Sequence, residues 1–180
     1  MKKKVLFLGV LLFVLTASVN AQVYVGGTLG ISAENYKTEG KSYTNSVYSI
    51  SPEIGYNINQ HWAVGASLGL FYSVAGGGGD DINGFGFSPY VRGTFAQVGA
   101  VRFFTEAAFS YEKAELEDYD MDGWGVALRP GILVDLSKRL QLVGRTQLFS
   151  YSEAGEDSYK VKKMDFAISN NWEIGVLFNF

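Results

Sequence analysis

The chain of 180 residues holds one histidine, His61, and no cysteine. Disulfides, thiolate metal sites and thiol nucleophiles are therefore excluded, and a hydroxyl nucleophile with an imidazole base could be built only around His61. That histidine stands in Asn59-Gln60-His61, a short polar turn before Trp62, where a solvated turn residue is expected rather than a general base. The run Asp118-Tyr119-Asp120-Met121-Asp122-Gly123 has the alternate oxygens and turn-making glycine of the first half of a calcium loop. The residue that should be its bidentate glutamate is Arg129, so an EF-hand is rejected. A looser cation site on Asp118, Asp120 and Asp122, with Glu115 and Glu117 beside it, is the alternative to a plain solvated loop. Gly76-Gly77-Gly78-Gly79-Asp80-Asp81 lacks the Lys-Ser/Thr that completes a phosphate cradle and reads as a surface loop. No catalytic residue and no cofactor are assigned.

What remains is a set of charges in apolar company: Glu53, Arg92, Arg102, Glu106, Arg129, Arg145 and Glu173. Each falls inside a stretch where apolar residues recur at every second position, the period of a strand with one greasy face. Eight such segments are expected. Six run over 23–32, 48–58, 62–72, 87–95, 101–111 and 123–136. The seventh, about 139–151, is the least regular, because Val143 and Phe149 oppose the face set by Leu140, Leu142 and Leu148, which signals a bulge or an error of register. The eighth runs from about Met164 to Phe180.

Short connections at about 59–61, 97–100 and 137–138 alternate with long polar ones at about 34–45, 75–84, 112–121 and 152–163. Short turns at one end and long loops at the other is the layout of a transmembrane barrel. A strand of ~10 residues at ~3.3 Å each, tilted by ~40°, spans the ~25 Å apolar band of such a barrel. Pro52, Pro89 and Pro130 recur, with Trp172, at a hairpin-sized spacing in the even-numbered strands. A proline costs a ladder hydrogen bond, so a common level of distortion is expected there.

The start of the chain places it outside the cytoplasm. Lys2-Lys3-Lys4, the apolar run Val5–Leu15 and the small residues ending in Val19-Asn20-Ala21 have the anatomy of a secretory signal peptide over 1–21, leaving a domain over 22–180. Removing three lysines takes the balance from 15 basic against 18 acidic to 12 against 18, a formal charge of −6. An acidic surface argues against nucleic acid as a partner. A soluble sandwich or lipocalin-like barrel would turn its apolar face inward. Here the opposite face carries glycine, serine and charges of both signs, which can pair within a lumen while the aromatic face meets lipid.

These features resemble the small outer-membrane β-barrel family of Gram-negative bacteria, the OmpA/OmpX-like barrels, over essentially the whole chain after the leader. The expected fold is all-β, an eight-stranded antiparallel up-and-down transmembrane β-barrel with short periplasmic turns and longer extracellular loops. Tyr56, Trp62, Tyr72, Trp124 and Trp172, with Phe180, are expected at the membrane interfaces. In the final WEIGVLFNF, alternate residues from Trp172 through Phe178 to Phe180 should face lipid and Leu177 should pack inside. The last strand should pair with the first, near 23–31, to remove the edge that lipid cannot satisfy. The resemblance implies that the terminal Phe180 is also read by the barrel-assembly machinery.

A non-enzymatic protein with a structural or surface-interaction role is the leading expectation, as a monomer surrounded by outer-membrane lipid and lipopolysaccharide. Lys160, Lys162 and Lys163 are candidates for lipopolysaccharide phosphates. A small pore for ions or solutes is the alternative. An outer-leaflet lipid-modifying enzyme comes third, since no histidine lies at the outer rim.

Overall fold

The structure is a computed structural model, and it describes residues 22–38, 41–74, 82–115, 120–156, 159–168 and 171–180. These residues form ten strands: β1 (Val23–Thr38), β2 (Lys41–Asn57), β3 (Trp62–Val74), β4 (Ile82–Val98), β5 (Val101–Glu115), β6 (Asp120–Asp135), β7 (Leu140–Thr146), β8 (Phe149–Glu156), β9 (Tyr159–Phe166) and β10 (Trp172–Asn179). β1 to β6 pair antiparallel in chain order. The wall continues from β6 to β7, from β7 to β10 and from β10 back to β1. It is a closed barrel of eight staves, two of which are broken: β7 with β8 is one stave, β9 with β10 the next.

Closure runs from Tyr24 opposite Asn179 to Ile31 opposite Trp172. The Phe180 amide adds a hydrogen bond to the Val23 carbonyl oxygen at 3.0 Å. Phe180 therefore extends the seam between β10 and β1. Above Ile31, β1 continues against β2, and β9 pairs with β8.

Alternation places the faces as hydrophobicity demands. Leu29, Ile174 and Trp172 are 64, 66 and 53% exposed on the outer surface, whereas Leu177 is fully buried inside. An apolar outer belt beside a closed hydrogen-bond ladder is what a strand needs in lipid, where unpaired backbone groups find no water.

The proline level is visible in the ladders. Pairing of β2 with β3 skips the positions of Ser51 and Pro52, and pairing of β4 with β5 skips Ser88 and Pro89. At Pro130 the neighbour of β6 changes from β7 to β8. The register shifts by one residue there, since Gly131 faces Arg145 but Leu128 faces Phe149. A missing N–H on one side of a strand explains all three gaps. The shift at Pro130 is the irregularity that Val143 and Phe149 signalled: Val143 points inward and is 1% exposed, while Leu140 and Leu142 lie on the outer face.

Two expectations need correcting. The seventh and eighth segments are not continuous strands, but are interrupted between Thr146 and Phe149 and between Phe166 and Trp172. Much of the length read as loop is also hairpin. β1 and β2 stay paired to Thr38 opposite Lys41, β5 and β6 to Glu115 opposite Asp120, and β8 and β9 to Glu156 opposite Tyr159. Polar sequence hid these extensions, because a ladder standing in water has two wet faces and loses the alternation that marks a half-buried strand.

Candidate functional site

Six of the seven charges singled out from the sequence meet in the middle of the lumen. Arg92, Glu106 and Arg129 are directly opposite one another on β4, β5 and β6, and Arg145 is opposite Glu173 on β7 and β10. Neighbouring strands therefore present alternating signs, the favourable cross-strand arrangement. Arg92 Nε donates to Glu106 Oε1 at 2.8 Å, and Arg145 Nε donates to Glu173 Oε2 at 2.6 Å.

Other contacts cross the barrel. Arg145 Nη1 donates to Glu53 Oε2 at 2.8 Å, and Arg92 Nη2 lies 3.2 Å from Glu53 Oε1. Thr28 Oγ1 donates to Glu173 Oε2 at 3.0 Å and accepts from Arg145 Nη2 at 3.3 Å. Arg129 Nη2 stands 3.0 Å from Glu106 Oε2 without the alignment of a hydrogen bond, and its Nε has no partner among the described residues. Three guanidinium groups thus match three carboxylates. Glu53, Arg92, Glu106 and Arg145 are no more than 3% exposed.

Charges this deep are tolerated only when they are paired and hydrogen-bonded. A neutral network that spans the barrel meets that condition for every member but Arg129, which is ion-paired without an aligned hydrogen bond, and fills the space an eight-strand barrel leaves.

Aromatic rings complete the plug on the side of the short turns. Tyr24 leans from β1 across Gly55 of β2, and Tyr90 leans from β4 across Gly65 of β3. Any Cβ at those glycines would meet the ring or hydroxyl atoms of the tyrosines. The two hydroxyls touch at 2.8 Å over the intervening strands. The Arg92 guanidinium lies 4.8 Å from the Phe104 ring centre and 5.3 Å from those of Tyr24 and Tyr90, within cation–π range. Phe104, Leu133, Val143 and Leu177 fill the rest of this level, each 3% exposed or less.

The plug divides the lumen. On the hairpin side lies a cavity of about 530 Å³ with Ser49, Ser51, Ser67, Ser88 and Ser110 in its wall and Arg129 and Glu173 on its floor. On the turn side a smaller cavity of about 290 Å³ is bordered by His61, Arg92 and Arg102. Arg92 and Arg129 face opposite compartments, and Glu106 between them is fully buried.

The other sequence-assigned residues lie elsewhere. Arg102 is apart from the network, paired with Asp135 at 2.6 Å near the turns, and Gln141 donates to the same carboxylate at 2.7 Å. His61 is exposed in its turn, its amide donating to Asn59 Oδ1 at 2.8 Å. Asp118 lies outside the described residues. Asp122 is exposed and accepts from the Tyr111 hydroxyl at 3.2 Å, and no cluster of metal-binding side chains occurs among the described residues. The tetraglycine run also lies outside the described residues, as does the leader.

Trp62, Tyr72, Trp124 and Trp172 are exposed on the outer surface at between 41 and 53%. Trp62 and Phe180 lie at the turn end, Tyr72 and Trp124 toward the hairpin end. Tyr56 is half-buried and donates to Gln22. Phe178 and Phe180 stack edge to face, 5.1 Å between centres. Lys162 and Lys163 are exposed, with Glu153 and Asp165 at 3.6 and 3.4 Å.

Sequence reasoning passed over Thr28, Tyr24, Tyr90 and Phe104 as plug residues. A large aromatic at an inward position, with an inward glycine on the next strand, is the signal that could have found the tyrosines.

The comparisons agree with this architecture. No curated protein matches the chain. Neisserial surface protein A superposes with a TM-score of 0.56 at 16% identity, over 88% of this chain and 97% of its own. Outer membrane protein H of Pseudomonas aeruginosa gives 0.57 at 15% over 88 and 99%, and OprG of the same organism 0.54 at 14% over 88 and 94%. At these identities the likeness is one of fold. The family model described as "Outer membrane protein beta-barrel domain" matches residues 5–180. With its closed eight-stave barrel, apolar belt and paired lumen, this chain belongs to the outer membrane protein β-barrel domain family and is an integral protein of the Gram-negative outer membrane.

Proposed function

We propose that this protein is a non-enzymatic, closed barrel that anchors paired hairpins at the cell surface, where it contributes to envelope integrity and to contacts made through those hairpins. The observation that carries the reading is the plug. Four charged residues no more than 3% exposed are held to one another across the lumen, where an open water path would leave them exposed. The broad outward arms of β1–β2, β5–β6 and β8–β9 are then the parts free to meet something else. A swelling assay on vesicles containing the protein tests it. No uptake of a small sugar above protein-free vesicles is expected, whereas uptake rising with protein content would contradict the reading.

A small pore is the second reading, and one observation favours it. The two cavities approach the plug from both ends, with Arg92 on one side and Arg129 on the other of Glu106. A change of partner by Glu106 would be the least movement able to join them. Ion currents that disappear in Glu106→Gln while the barrel stays folded would support this reading over the first.

Export under the leader 1–21, recognition of Phe180 by the assembly machinery, a monomeric state and contact of Lys160, Lys162 and Lys163 with lipopolysaccharide phosphates belong to the same proposal. The exposure of Lys162 and Lys163 supports the last. Weaker retention of lipopolysaccharide by the triple Lys→Gln variant would bear it out, and unchanged retention would remove it.

A further inference from the structure

The larger cavity holds a ring and a carboxylate that the plug does not use. Phe71 of β3 points inward and lines this cavity among serines. Its ring tip lies over Gly84 of β4, so close that a Cβ there could not be accommodated. From the other side, Glu112 of β5 lies over Gly86 of the same strand, its Cγ 3.0 Å from where a Cβ would stand. Gly84 and Gly86 are two residues apart, roughly 7 Å along the strand. The two glycines thus let an aromatic ring and a carboxylate lean toward each other over β4. Both line the 530 Å³ cavity and a side pocket that continues from it past Ser110 and Trp124.

The charges of this cavity do not cancel. Arg129 on the floor is engaged by Glu106, and Glu173 is engaged by Arg145 and Thr28. Glu112 has no ion-pair or hydrogen-bond partner among the described residues. It is reached by solvent within the lumen, although the wall surrounds it on most sides. Among the described residues, the one uncompensated charge in this serine-lined cavity is therefore negative and stands beside an aromatic ring. An organic ammonium is attracted by both groups, by the carboxylate through its charge and by the ring face through its quadrupole. The cavity volume falls in the range of small-molecule sites, and the serine hydroxyls can serve a hydroxyl on the same ligand.

We propose that the hairpin-side cavity is a binding site for a small hydroxylated organic ammonium, with Phe71 and Glu112 as its cation contacts. The test is isothermal titration of the full barrel, refolded in detergent, with choline, with its neutral isostere 3,3-dimethylbutan-1-ol, and with glucose. Saturable choline binding is expected, with the isostere weaker by about tenfold or more. Glu112→Gln should weaken choline by a similar factor and Phe71→Leu severalfold, in samples whose heat-modifiable gel mobility shows a folded barrel. Isostere binding as tight as choline, choline binding unaltered in Glu112→Gln, or saturation by glucose alone would overturn the proposal.

Discussion

Arg145 and Glu53 lie 92 positions apart in the chain and meet across the lumen, Nη1 to Oε2 at 2.8 Å. The same guanidinium reaches Glu173 through Nε and lies 3.3 Å from Glu106 through Nη1. It is 1% exposed. One side chain therefore holds the carboxylates of three staves, β2, β5 and β10, to β7.

Removing that side chain should be costly. In Arg145→Met the carboxylates of Glu53 and Glu106 lose a partner without regaining water, and loss of one member of a buried pair costs about 3–5 kcal/mol. Glu173→Gln should cost less, since the side chain is 17% exposed and the amide oxygen can still accept from Thr28. Urea unfolding in lipid vesicles would rank the two. A Glu173→Gln barrel less stable than Arg145→Met would contradict the hierarchy.

Closure should depend on Gly175. A Cβ at this position would collide with the Gly27 carbonyl oxygen on β1. Gly175→Val is expected to prevent β10 from zipping onto β1, with loss of the fast-migrating folded form on an unheated gel. An unchanged gel shift would show that the seam can yield there.

The outer face should reject charge. Ile174 is 66% exposed and lies between Leu29 and Gly144 in the middle of the closed wall. Ile174→Arg should destabilise the barrel by about 2–4 kcal/mol in vesicles, as charges do on the lipid face near the midplane. A negligible change would place this part of the wall outside the apolar band.

Deleting Phe180 removes a backbone hydrogen bond to Val23 and the edge-to-face contact with Phe178. The purified variant should still refold in detergent, slightly less stable, while its level in the outer membrane falls severalfold. Equal levels in the membrane would separate Phe180 from assembly.

How far the sequence carries the reading follows from where the information is local. Which face Leu29 or Ile174 presents depends on a period of two, and that is written within a few residues. The distortion level at Pro52, Pro89 and Pro130 was legible for a similar reason, because the missing N–H belongs to the residue itself. The inward direction of Glu53, Arg92 and Arg145 was legible too. Their individual partners were not, since contacts across the lumen depend on strand tilt and stagger accumulated around the barrel. Arg102 shows the difference: it shares the inward face with Glu106 but sits two inward positions nearer the turns, beyond Phe104, with Asp135. Phe71 and Glu112 were missed because their juxtaposition is made by Gly84 and Gly86 on the strand between them.

The proposed function turns on closure of the lumen by its paired charges. The most direct measurement is single-channel recording of the purified barrel in a planar bilayer at neutral pH. A silent membrane is expected for the unaltered protein, and openings only when Arg145 or Glu53 is replaced in a barrel that still folds. Sustained, discrete conductance from the unaltered protein would contradict it.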